Sequence, residues 1–294
     1  MKNILVTGGA GFIGSHLCDG LLARGYAVRV LDSLIYGRRE WVPQACEFIE
    51  GDIRDIATCH RATMGMDGVL HCAAMSRSGP SQEAIETCTG SNITGTQNML
   101  LAARDARVKR FIYSGSSTYY GNAAPPHREN DPPDLLNIYG LTKRVGEQYT
   151  LLFDEGFDLP AIVLRYFNVY GPRQPETGAY ALVLGIFLKR KMDGKPLEIH
   201  GTGQQRRDFI HVRDIVAANI AALESSVRGE VFNVGSGTSL SVQELADMIS
   251  PDQVHIEARK NDSEATLADI SKIQAALGWS PKISFAEGLK ELLR

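Results

Sequence analysis

Tyr139 and Lys143 stand four residues apart in Tyr139–Phe153, a stretch after a proline-rich loop whose pattern predicts a helix. That spacing places a phenol and an ammonium on one helical face, one turn apart. A phenol ionises near pH ~10 and is a poor base at neutrality. A neighbouring cation stabilises phenolate and lowers that value, which makes the pair a candidate general base for an alcohol proton. A second group of able side chains, Ser114-Gly115-Ser116-Ser117-Thr118, follows a strand-like run. Ligands of open α/β sheets bind at the carboxyl ends of strands, so a hydroxyl there can bridge Tyr139 and a reacting oxygen.

A third pattern gives these groups a partner. Thr7-Gly8-Gly9-Ala10-Gly11-Phe12-Ile13-Gly14 joins a β-rich run to a helical one. In such a loop Gly8 permits the tight turn, Gly11 lets the backbone approach a pyrophosphate, and Gly14 allows close helix–strand packing. The helix opening at Phe12 and Ile13 offers unpaired N–H groups and a positive dipole end to phosphates. Asp32 ends the next strand, where an acid takes the adenine-ribose hydroxyls and repels a 2′-phosphate. The cofactor expected is therefore a dinucleotide, NAD rather than NADP, although Arg38 and Arg39 leave a recipient for a 2′-phosphate. Asp52 and Ile53 follow the third strand, where a carboxylate can meet the adenine. The charge of an oxidised nicotinamide would lower the Tyr139 phenol further.

The elements that must hold these groups alternate. Asn3–Thr7, Ala27–Asp32, Cys46–Ile49, Gly68–Ala73, Arg110–Ser114 and Ala161–Tyr166 read as strands, nearly continuously apolar as in a sheet buried on both faces. Phe12–Ala23, Ile85–Ala106 and Tyr139–Phe153 read as helices between them. The rhythm predicts an α/β fold with a doubly wound parallel (Rossmann) sheet. Beyond Asn168, glycine and proline punctuate the chain; Phe209–Val212 reads as another sheet strand, and Ser241–Ile249 as a short helix opened by a serine cap. The division expected is a dinucleotide domain over 1–166, with segments returning near 205–230, and a smaller, discontinuous substrate domain over 167–294.

The 294 residues are 44% hydrophobic and carry 31 basic against 34 acidic side chains, a formal charge of −3. That balance argues against nucleic acid as a partner. The apolar run Tyr180–Leu188 is too short to span a bilayer, and the first strand starts at Asn3, so neither membrane nor leader is expected. Five cysteines without a C-x-x-C pair predict reduced thiols in a cytoplasmic protein, with no metal site.

With these motifs in place, the chain resembles the extended short-chain dehydrogenase/reductases of the nucleotide-sugar epimerase/dehydratase family. The likeness runs from Thr7–Gly14 through Asp32, His71–Ala74, Asn92–Thr96, Ser116, Tyr139/Lys143, Arg165–Arg173 and Gln205–Asp214 to Thr266–Lys272. It implies that Ser116, Tyr139 and Lys143 are catalytic. It implies too that Ala73, Ala74 and Asn92 line the cofactor, with Ser114, Lys143 and Tyr166 beside them. Asn168, Val183, Arg207 and Arg259 fall on positions that hold a nucleotide diphosphate, and Asp262 on one that binds its ribose. Ser76, Ser117 and Thr118 fall on the sugar side. The physics agrees for the arginines, since two guanidiniums can clamp a pyrophosphate. The likeness also suggests a homodimer packed through Ile85–Ala106 and Tyr139–Phe153.

Departures from relatives narrow the reaction. Hexose 4,6-dehydratases carry Thr-Asp-Glu where this chain has Ser116-Ser117-Thr118, and UDP-glucuronate decarboxylases keep a glutamate at the position of Thr118. Without those carboxylates neither chemistry has an evident proton carrier. Two readings lead: a UDP-hexose 4-epimerase working through a transient 4-ketosugar, and an NAD(P)H-dependent nucleotide-4-keto-6-deoxysugar 4-reductase; a 4,6-dehydratase and a non-catalytic dinucleotide sensor stand behind them, the sensor disfavoured by the retained Tyr139/Lys143 pair. Thr266 stands where some UDP-galactose 4-epimerases have a tyrosine that limits the C2 substituent, so UDP-GlcNAc and UDP-GalNAc join UDP-Glc and UDP-Gal as expected substrates. Gly115, Gly185 and His200 also depart from the usual serine, proline and aromatic residue.

Overall fold

The computed structural model describes residues 1–76, 78–176, 181–258 and 264–293. Strands β1 (Asn3–Thr7), β2 (Ala27–Asp32), β3 (Glu47–Glu50), β4 (Gly68–His71), β5 (Arg110–Ser116), β6 (Ala161–Tyr166) and β7 (Glu230–Val234) form one sheet in the order β7-β6-β5-β4-β1-β2-β3. All its pairings are parallel. Successive residues serve opposite faces: Ile4, Val6, Ile112, Ile162 and Leu164 enter one core, while Leu5, Phe111, Tyr113 and Val163 enter another. Burial on both sides is why these runs contain so few polar residues. Chain order reverses between β1 and β4, which opens a crevice at the carboxyl ends of the strands.

Helices α1 (Phe12–Ala23), α2 (Ile56–Thr63), α3 (Ile85–Thr89), α4 (Gly95–Asp105), α5 (Ile138–Phe157), α6 (Val183–Met192), α7 (Val212–Glu224) and α8 (Val242–Ile249) connect or flank the strands. The single helix expected over Ile85–Ala106 is interrupted by a π-helical turn at Gly90–Thr94. A glycine is required where α4 begins, because a Cβ on Gly95 would lie 2.6 Å from the Ile53 side chain.

Phe209–Val212 does not join the main sheet. Phe209–His211 pairs with Asn168–Tyr170, and Val212 starts α7 because the His211 ring accepts from Arg213 N–H. The cap on α8 is as expected, with Ser241 and Glu244 bonding reciprocally. A smaller core of Tyr170, Leu184, Phe187, Ile199, Phe209, Leu245 and Leu289 gathers side chains from beyond residue 166. In contrast, Ile215 and Leu223 of α7 and Phe232 of β7 return to the main sheet.

Candidate active site

The turn between β1 and α1 has no room for side chains. Gly8 has φ +71°; a Cβ there would lie 2.8 Å from Ala73 N, and one on Gly14 would lie 2.1 Å from Gly8 O. At Gly11 the one near atom, among the described residues, would be Gly8 O at 3.2 Å. Gly11 caps α1 without a side-chain partner, and no acid stands in the first turn, so an anion fits the helix end at Phe12 and Ile13. Asp32 is buried at the end of β2, where Ala10 N–H and Leu34 N–H donate to its two oxygens at 2.9 and 2.8 Å. Burial raises its carboxyl above the usual range, and those two bonds oppose the rise. Arg38 and Arg39, the residues that kept NADP open, lie over the rings of Trp41 and Phe48 at 5.0 and 4.3 Å. Asp52 is engaged by the Arg54 guanidinium at 2.6 Å, which holds its carboxyl below the usual range. Ile53 packs beneath α4.

Two adjoining elements carry the candidate reactive groups. Asn137 caps α5 by accepting from Gly140 N–H at 2.8 Å, and half-buried Tyr139 donates its N–H to Ser81 Oγ at 3.2 Å. Lys143 is 6% exposed, with Nζ 4.2 Å from the centre of the Tyr113 ring. Burial pulls its ammonium down to about 8, and the Glu147 carboxylate opposes that fall. At the end of β5, Ser116 Oγ accepts from both Thr118 N–H, at 3.3 Å, and Thr118 Oγ1, at 2.9 Å. This turn over Ser117 leans on the first turn of α5, since a Cβ on Gly140 would lie 3.2 Å from Thr118 O.

A buried polar layer supports the crevice. His71 bonds Thr7 Oγ1 through Nδ1 at 2.7 Å and Thr96 Oγ1 through Nε2 at 3.1 Å. Thr96 in turn donates to Asn92 O at 2.7 Å, and Ala73 N–H donates to Thr7 Oγ1 at 3.2 Å. Burial pushes the His71 imidazole down to about 3, so it is neutral. Asn92, at the π turn, accepts from Met75 N–H at 2.8 Å and donates to Met75 O and Thr142 Oγ1, both at 2.9 Å. Its carboxamide thereby ties the Ala73-Ala74-Met75 segment to α5. Beside it, Cys72, Ser114, Tyr166 and Asn219 form a second chain, with Ser114 donating to Tyr166 Oη at 3.2 Å. Sequence reasoning missed Glu147, which lies a further turn beyond Lys143 and takes both Nε and Nη2 of buried Arg165, at 2.9 and 2.7 Å. The signal was available: an arginine inside an apolar strand requires a carboxylate partner.

On the other side of the crevice, Asn168 Nδ2 donates to Asp208 O and to Thr266 Oγ1, each at 3.2 Å. Thr266 Oγ1 also accepts from Asp208 N–H at 3.2 Å, so both acceptor sites of its oxygen are filled by the wall. Val183 is the first residue of α6. Gly185 replaces proline where a Cβ would meet Pro175 O at 2.4 Å. Arg207 lies in a short strand and donates to Arg206 O at 2.8 Å. His200 holds Glu257 O through Nδ1 at 2.9 Å. Ser76 follows Met75 and is half-buried; Arg259 and Asp262 lie outside the described residues.

A parallel doubly wound sheet with a glycine turn, an acid ending β2 and a Tyr-x-x-x-Lys helix beside β5 defines a dinucleotide-dependent enzyme of the short-chain dehydrogenase/reductase class. Residues 4–235 match the model of the NAD dependent epimerase/dehydratase family, and the chain belongs to that family. The UDP-glucose 4-epimerase of Thermotoga maritima, solved with UDP-glucose, superimposes with a TM-score of 0.95 at 36% identity, covering 99% of this chain and 97% of that one. The UDP-N-acetylglucosamine 4-epimerase of Methanobrevibacter ruminantium gives 0.95 at 33%, with the same coverage. A UDP-N-acetyl-alpha-D-glucosaminuronate decarboxylase of Bacillus cytotoxicus is 32% identical over 100% of this chain and 97% of its own length. The cofactor is NAD, which the bare helix end and Asp32 fit. No described helix is long and apolar enough to cross a membrane.

Proposed function

We propose that this chain is a cytoplasmic UDP-hexose 4-epimerase that interconverts UDP-Glc with UDP-Gal, and the N-acetylated pair as well. The observation that carries the reading is the Ser116–Thr118 turn beside α5, where the functional groups are hydroxyls. Dehydration or decarboxylation would call for a carboxylate there. Ser116, Tyr139 and Lys143 are the catalytic residues: Tyr139 Oη takes the proton of the C4 hydroxyl, Lys143 stabilises the phenolate, and Ser116 bonds the C4 oxygen. NAD, when bound, would supply the hydride acceptor and donor for C4. Tyr139 then gives its proton back, so the cycle consumes no reductant.

Gly8, Gly11, Phe12, Ile13 and Gly14 hold the pyrophosphate of NAD in this reading, and Asp32, Asp52 and Ile53 its adenosine. Ala73, Ala74, Asn92, Ser114, Lys143 and Tyr166 serve the nicotinamide end, Asn92 through Met75. Ser76, Ser117 and Thr118 face the sugar, while Asn168, Val183, Arg207, Arg259 and Asp262 hold the nucleotide diphosphate. Thr266 leaves room for an acetamido group because it is small and its oxygen is held by the Asn168 amide and the Asp208 N–H. The residues after 166, apart from α7 and β7, form the substrate domain. Exposed Ile85 of α3, and exposed Leu141 and Leu152 on one side of α5, support a homodimer packed through these helices.

The test incubates purified protein with UDP-galactose, UDP-GalNAc or a nucleotide-4-keto-6-deoxysugar, without added cofactor. Interconversion of both UDP-sugar pairs without net NADH supports the reading. Failure on the acetylated pair alone removes the role given to Thr266. Activity only on ketosugars, with stoichiometric NAD(P)H use, would replace it by the 4-reductase.

A further inference from the structure

We propose that Thr118 is a positioning residue that fixes Ser116 as a hydrogen-bond donor to the reacting oxygen. The inference rests on the reading of Ser116 and Tyr139 given above. A serine hydroxyl has one hydrogen and two acceptor sites. Thr118 fills both acceptor sites of Ser116, with its N–H at 3.3 Å and its Oγ1–H at 2.9 Å. Among the described residues nothing accepts the hydrogen of Ser116 itself. Tetrahedral geometry at Oγ directs that hydrogen away from Thr118.

The consequence is chemical. An oxygen whose acceptor sites are full cannot take a proton from the sugar. The C4 hydroxyl proton therefore passes straight to Tyr139 Oη, and Ser116 contributes one donated bond to the C4 oxygen. That bond strengthens as the oxygen gains carbonyl character and partial negative charge. Thr118 also sets the distance between serine and base, because its carbonyl and Cβ would lie 3.2 and 3.7 Å from a Cβ on Gly140, the residue after Tyr139. A carboxylate at residue 118 would reverse the polarity, accepting the serine hydrogen instead of supplying one.

A double-mutant cycle tests this with Thr118→Val, Thr118→Ser and Ser116→Ala, reading kcat and KM for UDP-galactose. Thr118→Val should lower kcat about three- to tenfold, with KM within about twofold, because one oriented hydrogen bond is lost. Thr118→Ser should restore kcat, and Thr118→Val should cost nothing more in the Ser116→Ala background. Thr118→Ala takes the place of the valine variant if the latter does not fold. Equal losses in both backgrounds, a change confined to KM, or full kcat in Thr118→Val would overturn the proposal. If the wild-type protein reduces ketosugars instead of epimerising UDP-galactose, the epimerase reading fails. The same cycle, run on ketone reduction, still decides the role of Thr118.

Discussion

In the proposed mechanism Tyr139 acts as a base only while Lys143 is charged, and burial has brought that ammonium down to about 8. Raising the pH through that region discharges Lys143, and phenolate loses its stabilising neighbour. The kcat profile should therefore fall on the alkaline side, with an apparent pKa near 8; a flat profile to pH ~10 would show that the ammonium is not needed. Replacing Tyr139 by Phe should cut turnover by about 10²- to 10⁴-fold while NAD stays bound, as read by its absorbance after gel filtration. The pair stood out as a candidate because i and i+4 share a face, but only the glycine turn and the strand rhythm before it gave the pair a cofactor to work with. The bond from Thr118 to Ser116 was not legible, since it depends on how β5 ends in a tight turn. The Arg165–Glu147 pair was half legible: an arginine inside an apolar strand calls for a carboxylate, but which one depends on a strand and a helix that meet only in the fold.

Among the elements, the strands of the parallel sheet declared themselves because both their faces are buried. Helix α2 escaped because IATCHRAT is short and half polar, its start fixed by Asp55 rather than by an apolar stripe. Strand β7 escaped because EVFNV carries Asn233, which is fully buried and bonded to Tyr120 and His127. The π turn at Gly90–Thr94 follows no sequence period; it is set by the bonds Asn92 makes to Met75 and Thr142. The glycine turn makes a sharp demand on α1: Gly14→Ala, with its Cβ 2.1 Å from Gly8 O, should destabilise the protein by about 2 kcal/mol or more and abolish NAD retention. Unchanged melting and NAD content would contradict the tightness described. Buried His71 carries a pH consequence, since its pKa is about 3 in the fold against 6.5 in a free chain. Below pH ~6.5 the unfolded chain binds a proton that the native one refuses, so the stability His71 supplies is full above that pH and is lost towards pH ~3. Urea melts from pH 7 to 4 should show up to one proton less of coupled uptake in His71→Asn, and an unaltered slope would contradict a neutral, buried imidazole.

For the whole molecule, a formal charge of −3 conceals how the cations are placed. Arg207 lies in a short strand at the edge of the smaller core, so in the proposed reading an anionic substrate needs no basic surface. Exposed Leu152 gives the proposed homodimer its own test: Leu152→Glu should shift the light-scattering mass from dimer to monomer, whereas a wild-type monomer would contradict the assembly. The most direct measurement of the central claim is the conversion of UDP-galactose by the purified protein with no nucleotide cofactor added. The account predicts that UDP-glucose accumulates to equilibrium while absorbance at the NADH band returns to its starting value. No conversion, or conversion that consumes added NAD(P)H mole for mole, would contradict it.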